Sequence, residues 1–230
     1  MCLTAKMKGR TMNKKALVAE FIGTFTLIFI GVGAIAADHI SGGKLGLTGI
    51  ALAHGLAIAV MVSATAAASG GHLNPAVTIG LWSAKKIDTP LALGYLASQC
   101  FGAVMAAFLI KCCVPADALV AINMGTPAPG VGISGNMALV TEMVLTFFLV
   151  FVVYGTGVDP KGPKCGGLFI GLTVALDIMM GGPISGGAMN PARYLGPALF
   201  GGGLQNFPIY WAGPILGGIF AAQVYKKQLE

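Results

Sequence analysis

The chain has 230 residues, 56% of them hydrophobic and only 10% charged, with a mean hydropathy of +0.82. Soluble domains carry about 25% charged residues, so this chain has too little polar surface to cover itself in water and lipid is its expected solvent. The net charge of +6 does not read as a nucleic-acid footprint, because the basic residues sit in short clusters between apolar blocks and not along one face.

Residues 1–12 read as a basic leader, or as an extra stretch ahead of a second start at Met12. The first apolar block, 16–37, is too long for a signal-peptide core and has no evident cleavage site, so a retained span is expected. Five further runs of similar length follow at 47–69, 91–113, 137–158, 167–182 and 207–225, and none of the six holds more than one charged residue. All should be helices, since an open strand would leave its backbone groups unpaired in lipid. The fold class expected is an all-α membrane protein.

Two more apolar stretches, 74–83 and 190–200, are too short to span. Each opens on the same tripeptide, Asn74-Pro75-Ala76 and Asn190-Pro191-Ala192. Asparagine caps a helix well and proline suits its first position, so both read as helix starts. Short helices inside a membrane protein are tolerated where they line a cavity.

Basic residues set the expected topology. Lys6, Lys8, Arg10, Lys14 and Lys15 precede the first span, Lys85 and Lys86 follow the first half-span, Lys161 and Lys164 separate spans four and five, and Lys226 and Lys227 end the last. Six spans put all eleven on one side and leave Lys44, Lys111 and Arg193 on or toward the other, so both termini should be cytoplasmic. The cysteines, Cys2, Cys100, Cys112, Cys113 and Cys165, show no zinc-type spacing and read as small buried hydrophobes. No metal, cofactor or catalytic set is expected, because no Ser/His/Asp group or His-rich cluster appears.

The two halves repeat each other. Glu20, Thr24, Phe25, Leu27 and Phe29 recur 122 residues on as Glu142, Thr146, Phe147, Leu149 and Phe151. Gly70, Asn74, Pro75, Ala76 and Gly80 recur at an offset of 116, and Tyr95, Gly102, Ala106 and Ala107 at 115. With three spans per half, the second half must run through the membrane upside down. Inverted repeats place a shared pathway at their interface, with half-helix N-termini aimed into it. The expected organisation is a basic segment, 1–15, and a single channel domain, 16–230, with repeats at about 16–113 and 137–225.

Two such boxes on half-helices, with Arg193 after the second, resemble the aquaporin and glycerol-facilitator family, and the likeness runs from about Ala16 to Tyr225. The blocks Ala19-Glu20-Phe21-Ile22-Gly23-Thr24 and Gly71-His72-Leu73-Asn74-Pro75-Ala76-Val77-Thr78 are also similar to that family's. The resemblance implies six spanning helices and two half-helices in an inverted three-plus-three repeat, assembled as a homotetramer in the bilayer with one passive water pore per subunit. It makes Asn74 and Asn190, in their boxes Asn74-Pro75-Ala76 and Asn190-Pro191-Ala192, the donors at the pore centre, beyond capping their helices. It also implies a narrow filter of His54, Ile178, Gly187 and Arg193. The plain alternatives are a satisfied core histidine at His54 and an arginine snorkelling to a headgroup at Arg193.

That filter set looks like plant tonoplast intrinsic proteins, some of which pass ammonia, so ammonia is a second candidate permeant. A departure is that the loop at 114–136 contains no histidine. Tyr194 stands where the glycerol branch carries an aspartate, favouring water over glycerol. Glu20 and Glu142 are implied to hold the two boxed loops, with a proton relay as the alternative, and His72 to brace the first loop. Asp177 reads either as a hydrogen-bonded packing residue or as tuning the filter. Gly213 to Gly217 reads as a close helix contact. The rival functional classes are a glycerol or other neutral-solute facilitator, an ion-coupled carrier and a non-conducting scaffold. The short loops favour a prokaryotic plasma membrane.

Overall fold

The structure is a computed structural model and describes residues 14–229. Lys6, Lys8, Arg10, Cys2 and the reading of residues 1–12 lie outside the described residues. Helix α1 runs Lys14–Ile40, α2 Gly46–Thr65, α3 Pro75–Ser83, α4 Thr89–Cys113, α5 Ala116–Ala121, α6 Gly135–Val153, α7 Gly166–Ser185, α8 Pro191–Gly201 and α9 Phe207–Gln228. Six of these segments are long and apolar enough to cross a membrane, namely α1, α2, α4, α7, α6 with the π-turn Tyr154–Val158 that continues it, and α9 with the short 3₁₀ turn before it.

The expected spans and half-spans are all present, with boundary shifts that have local causes. The fifth extends past 182 to Ser185, carrying Pro183 within its last turn, and ends where Gly186 turns left-handed at φ 85°. The second stops at Thr65, because residues 66–70 turn back toward the first box. The short helix α5 and the 3₁₀ turn Asn123–Gly125 were not expected. They are too short for hydrophobic periodicity to show.

The repeat is a packing symmetry as well as a sequence one. In the first half α1 packs on α4, in the second α6 packs on α9, and α2 and α7 join the halves. Gly102 faces the Phe21 carbonyl and Gly217 the Met143 carbonyl, the same contact in each repeat, and a Cβ at either would strike that oxygen. Gly213 likewise faces the Leu139 carbonyl, so the span-six glycines bring α9 against α6 as expected. Across the halves Gly55 and Gly171 each face the other's carbonyl, setting α2 and α7 backbone to backbone. Small residues allow this because helix association in lipid depends on close packing and not on a hydrophobic drive.

At the face carrying both described ends, the Lys226 ammonium donates to the Ala84 carbonyl at 3.1 Å, and the Tyr225 hydroxyl donates to Asp159 at 3.0 Å. Lys85, Lys86 and Lys161 share that face, as the charge distribution required. The Lys161 N–H donated at 2.8 Å, with Tyr225 and the neighbouring lysines, holds the half-buried Asp159 carboxyl below its ordinary range.

Candidate functional site

Helices α3 and α8 start in the interior and point their N-termini at each other. Asn74 and Asn190 both adopt extended backbone as N-caps, with proline next. The Asn74 side-chain oxygen accepts from the Ala76 N–H at 2.8 Å, and that of Asn190 from Ala192 at 3.0 Å and Arg193 at 3.2 Å. Each amide nitrogen then crosses to the other repeat. Asn74 Nδ2 donates to the Met189 carbonyl at 2.9 Å, and Asn190 Nδ2 to the Leu73 carbonyl at 3.0 Å. An amide has two N–H donors, so one on each asparagine stays outside these bonds.

The carbonyls that receive these amides belong to strained residues. Leu73 and Met189 have φ of 52° and 51°, a left-handed conformation that non-glycine residues rarely adopt. Their N–H groups are held at the other end by carboxylates. Leu73 donates to Glu20 Oε2 and Met189 to Glu142 Oε2, both at 2.6 Å. Glu20 Oε1 also accepts from the His72 N–H at 2.9 Å and the Ser69 hydroxyl at 2.6 Å, while Glu142 Oε1 accepts from Ala188 at 2.9 Å and Ser185 at 2.7 Å. The Tyr95 and Tyr210 hydroxyls donate to the Ser69 and Ser185 carbonyls, both at 2.6 Å. Glu20 and Glu142 are fully buried behind their loops.

The support of the two loops differs between the halves. Gln99 Nε2 donates to Glu20 Oε2 at 2.7 Å and to Thr78 Oγ1 at 2.9 Å, and His72 Nδ1 lies 3.0 Å from the same hydroxyl. The second repeat has Pro214 and Tyr194 at the matching positions, so it cannot build this chain. His72 therefore braces the first loop from both its backbone and its ring.

An internal passage lies between the repeats. Both asparagines, His72, His54, Ile178, Gly187 and Arg193 line it, together with an apolar wall that includes Leu27, Ile58, Val62, Val77, Leu149 and Val174. Pro75, Ala76, Pro191 and Ala192 do not line it but open the two helices behind the asparagines, so of each expected box only the asparagine reaches the passage. Room for water within it comes to about 30 Å³. That is room for only a few waters.

The four positions expected at the narrow filter come together. Arg193 is buried, and its Nη1 donates to the Gly125 carbonyl at 2.9 Å. That carbonyl is presented by three successive left-handed residues, Asn123, Met124 and Gly125. His54 Nδ1 lies 2.9 Å from the Ile50 carbonyl. A carbonyl only accepts, so Nδ1 carries the proton and Nε2 is a bare acceptor with no protein partner. Gly187, at φ 56°, packs closely on Ile178, where an added Cβ would stand a crowded 3.3 Å from Ile178 Cα. Asp177 is absent from the passage. It lies in an outer groove with Val140, Thr141, Val144, Phe148 and Leu176, which removes the option that it tunes the filter directly.

Among the described residues no group of three or more His, Cys, Asp or Glu could hold a metal. The described cysteines are free, and Cys112, Cys113 and Cys165 are exposed where buried hydrophobes were expected, because they sit at helix ends beyond the packed interior. None of the four lines the passage. Mercurials are therefore expected to leave flux through the passage unchanged, as measured by stopped-flow light scattering. Strong block that survives replacement of Cys100, Cys112 and Cys113 would contradict this placement.

Ser69, Ser185, Gln99, Leu73, Met189 and Gly125 take part in the site without having been expected there. Ser69 and Ser185 recur at the repeat offset of 116, a signal that was available. Leu73 and Met189 share that offset but differ in identity, and Gly125 acts only through its backbone.

The sequence profile of the major intrinsic protein family matches residues 7–225. Aquaporin TIP4-4 of Zea mays is 43% identical over 218 residues, covering 92% of this chain and 85% of that protein. Aquaporin TIP2-3 of Arabidopsis thaliana is 41% identical over 223 residues, covering 92% and 86%. The solved aquaglyceroporin of Plasmodium falciparum superposes with a TM-score of 0.83 at 26% identity, covering 94% of this chain and 96% of that one. The plant relatives count against the prokaryotic plasma membrane expected from the short loops. Loop length reports how tightly consecutive helices are joined and carries no mark of the membrane they sit in.

Proposed function

Because this chain belongs to the major intrinsic protein family, whose members are membrane channels and not enzymes, we propose that it is a passive water channel that excludes protons and ions. One observation carries the reading: Asn74 and Asn190 each cap a half-helix, cross-link to the opposite repeat and keep an amide N–H outside these bonds, all beside a passage with room for only a few waters. A water whose oxygen accepts from both asparagines must turn its hydrogens outward in both directions, which breaks a proton relay. Two helix N-termini aimed at the same point add a positive potential against hydronium and metal cations.

The filter we propose is His54, Ile178, Gly187 and Arg193. The Arg193 side chain offers donors to water and repels cations, and the His54 ring gives the same lining a polar side chain. Glu20, Glu142 and His72 are proposed as the scaffold that fixes the two loops. A coupled carrier needs an element with two arrangements, whereas here both loops are fixed at each end by hydrogen bonds. We place both termini in the cytoplasm, because eight of the eleven clustered lysines and arginines are described residues at the face that carries both described ends. The homotetramer and the single channel domain rest on the resemblance alone, and the mass of the detergent-solubilised particle tests the former.

Stopped-flow light scattering on proteoliposomes tests the function. Water is expected to pass fast, ammonia measurably and glycerol poorly. Gly187 widens the constriction, Ile178 relaxes the demand for strict water geometry, and a histidine opposite Ile178 gives glycerol only half of the apolar wall it needs. His54→Phe should reduce ammonia flux more than water flux, since a polar ring in the lining becomes an apolar one of similar bulk. Glycerol flux as fast as water flux would show the filter to be misassigned.

A further inference from the structure

The imidazole of His54 does not stand free in the passage. Its Nδ1 edge is fixed to the Ile50 carbonyl one turn back on α2, and its opposite edge lies in a recess on α1 formed by Gly31. A Cβ built on Gly31 would overlap three ring atoms, Nε2, Cδ2 and Cε1, and nothing else lies as near to it. The other close glycines on the spanning helices face backbone carbonyls, aliphatic side chains or, at Gly167, the Ser63 hydroxyl, and none of them meets a ring this closely. Gly31 is buried in the middle of α1 and has no counterpart role in the second repeat, where the aligned residue is Val153.

We propose that Gly31 is a positioning residue that sets the bore of the filter, by giving the His54 ring a slot against α1. The inference rests on the filter reading above. The imidazole is a rigid plane, so it cannot make way for a methyl group by bending a flexible end. With Nδ1 anchored on α2, the ring can leave α1 only by swinging toward Ile178 and Arg193, across the passage. The room for water is about 30 Å³ in all. A shift of the ring by the thickness of a methyl group removes the space of about one water, which interrupts a single file. Tonoplast-like selectivity in this chain would then need a small residue on the first helix as much as a histidine on the second.

The test is a four-way comparison of the parent, Gly31→Ala, His54→Ala and the double variant, measuring water and glycerol flux per reconstituted protein and the melting temperature in detergent. Gly31→Ala should lower water flux roughly tenfold in the His54 background and lower the melting temperature. His54→Ala should widen the filter and admit glycerol. In the double variant the methyl group meets no ring, so flux and melting temperature should match His54→Ala. If Gly31→Ala fails to fold but the double variant folds and conducts, the inference still stands, because removing the ring has removed the clash. Equal losses from Gly31→Ala in both backgrounds, no loss in the His54 background, or failure of both the Gly31→Ala protein and the double variant to fold would overturn it. Unchanged water and glycerol flux in His54→Ala would instead overturn the filter reading itself.

Discussion

Arg193→Val is expected to leave water flux intact while protons and cations begin to leak. Arg193 is buried, held to the Gly125 carbonyl at 2.9 Å, and carries the fixed positive charge of the lining. A unit charge about 4 Å from a permeating cation is worth about 4 kcal/mol at an effective dielectric constant of about 20, so its loss raises cation passage by up to about a thousandfold. Valine also widens the constriction, which helps water and cations alike. The two half-helix N-termini remain, so some barrier at the centre persists. Proton entry read with a pH-sensitive dye, beside potassium flux, measures the change. An unchanged leak in protein that still folds and conducts water would remove Arg193 from the barrier.

Glu20→Ala should have the larger effect on stability. It strips the acceptor from four donors at once, the N–H groups of His72 and Leu73, the Ser69 hydroxyl and Gln99 Nε2. Each buried donor left without a partner costs about 1–3 kcal/mol, and a site sealed from water offers no replacement. Leu73, held left-handed by that carboxylate, should relax, and its carbonyl would then release Asn190. Loss of a monodisperse particle on size exclusion, with loss of flux, is the expected result. Glu142→Ala should be nearly as severe, since it removes the acceptor for Ser185, Ala188 and Met189. The proton-relay reading predicts otherwise: folded protein, normal water flux and a changed pH response. A Glu20→Ala protein that melts with the parent would contradict the scaffold role.

Much of this molecule could be read along the chain because the bilayer is a strict solvent. Every spanning segment must satisfy its own backbone, so each declares itself as an apolar run near 20 residues, and Asn-Pro openings too short to span must sit in a lined interior. Duplication then doubled the signal. Glu20 with Glu142 and Asn74 with Asn190 stand out as polar pairs at fixed offsets in chain otherwise almost free of them.

The tertiary structure decided what those residues touch. The amide of Asn74 closes on a carbonyl 115 residues away, and Glu20 on N–H groups 52 and 53 residues away. Leu73, Met189 and Gly125 contribute backbone groups that every residue type except proline possesses, so their identities carry no mark of the task. Gly31 contributes an empty space, whose meaning depends on a ring from another helix. Asp177, beside a filter position in sequence, faces the outer groove because successive residues on a helix point about 100° apart. Spans and boxes follow from local chemistry between the chain and its solvent. The bore of the passage follows from distances between parts of the chain that only packing brings together.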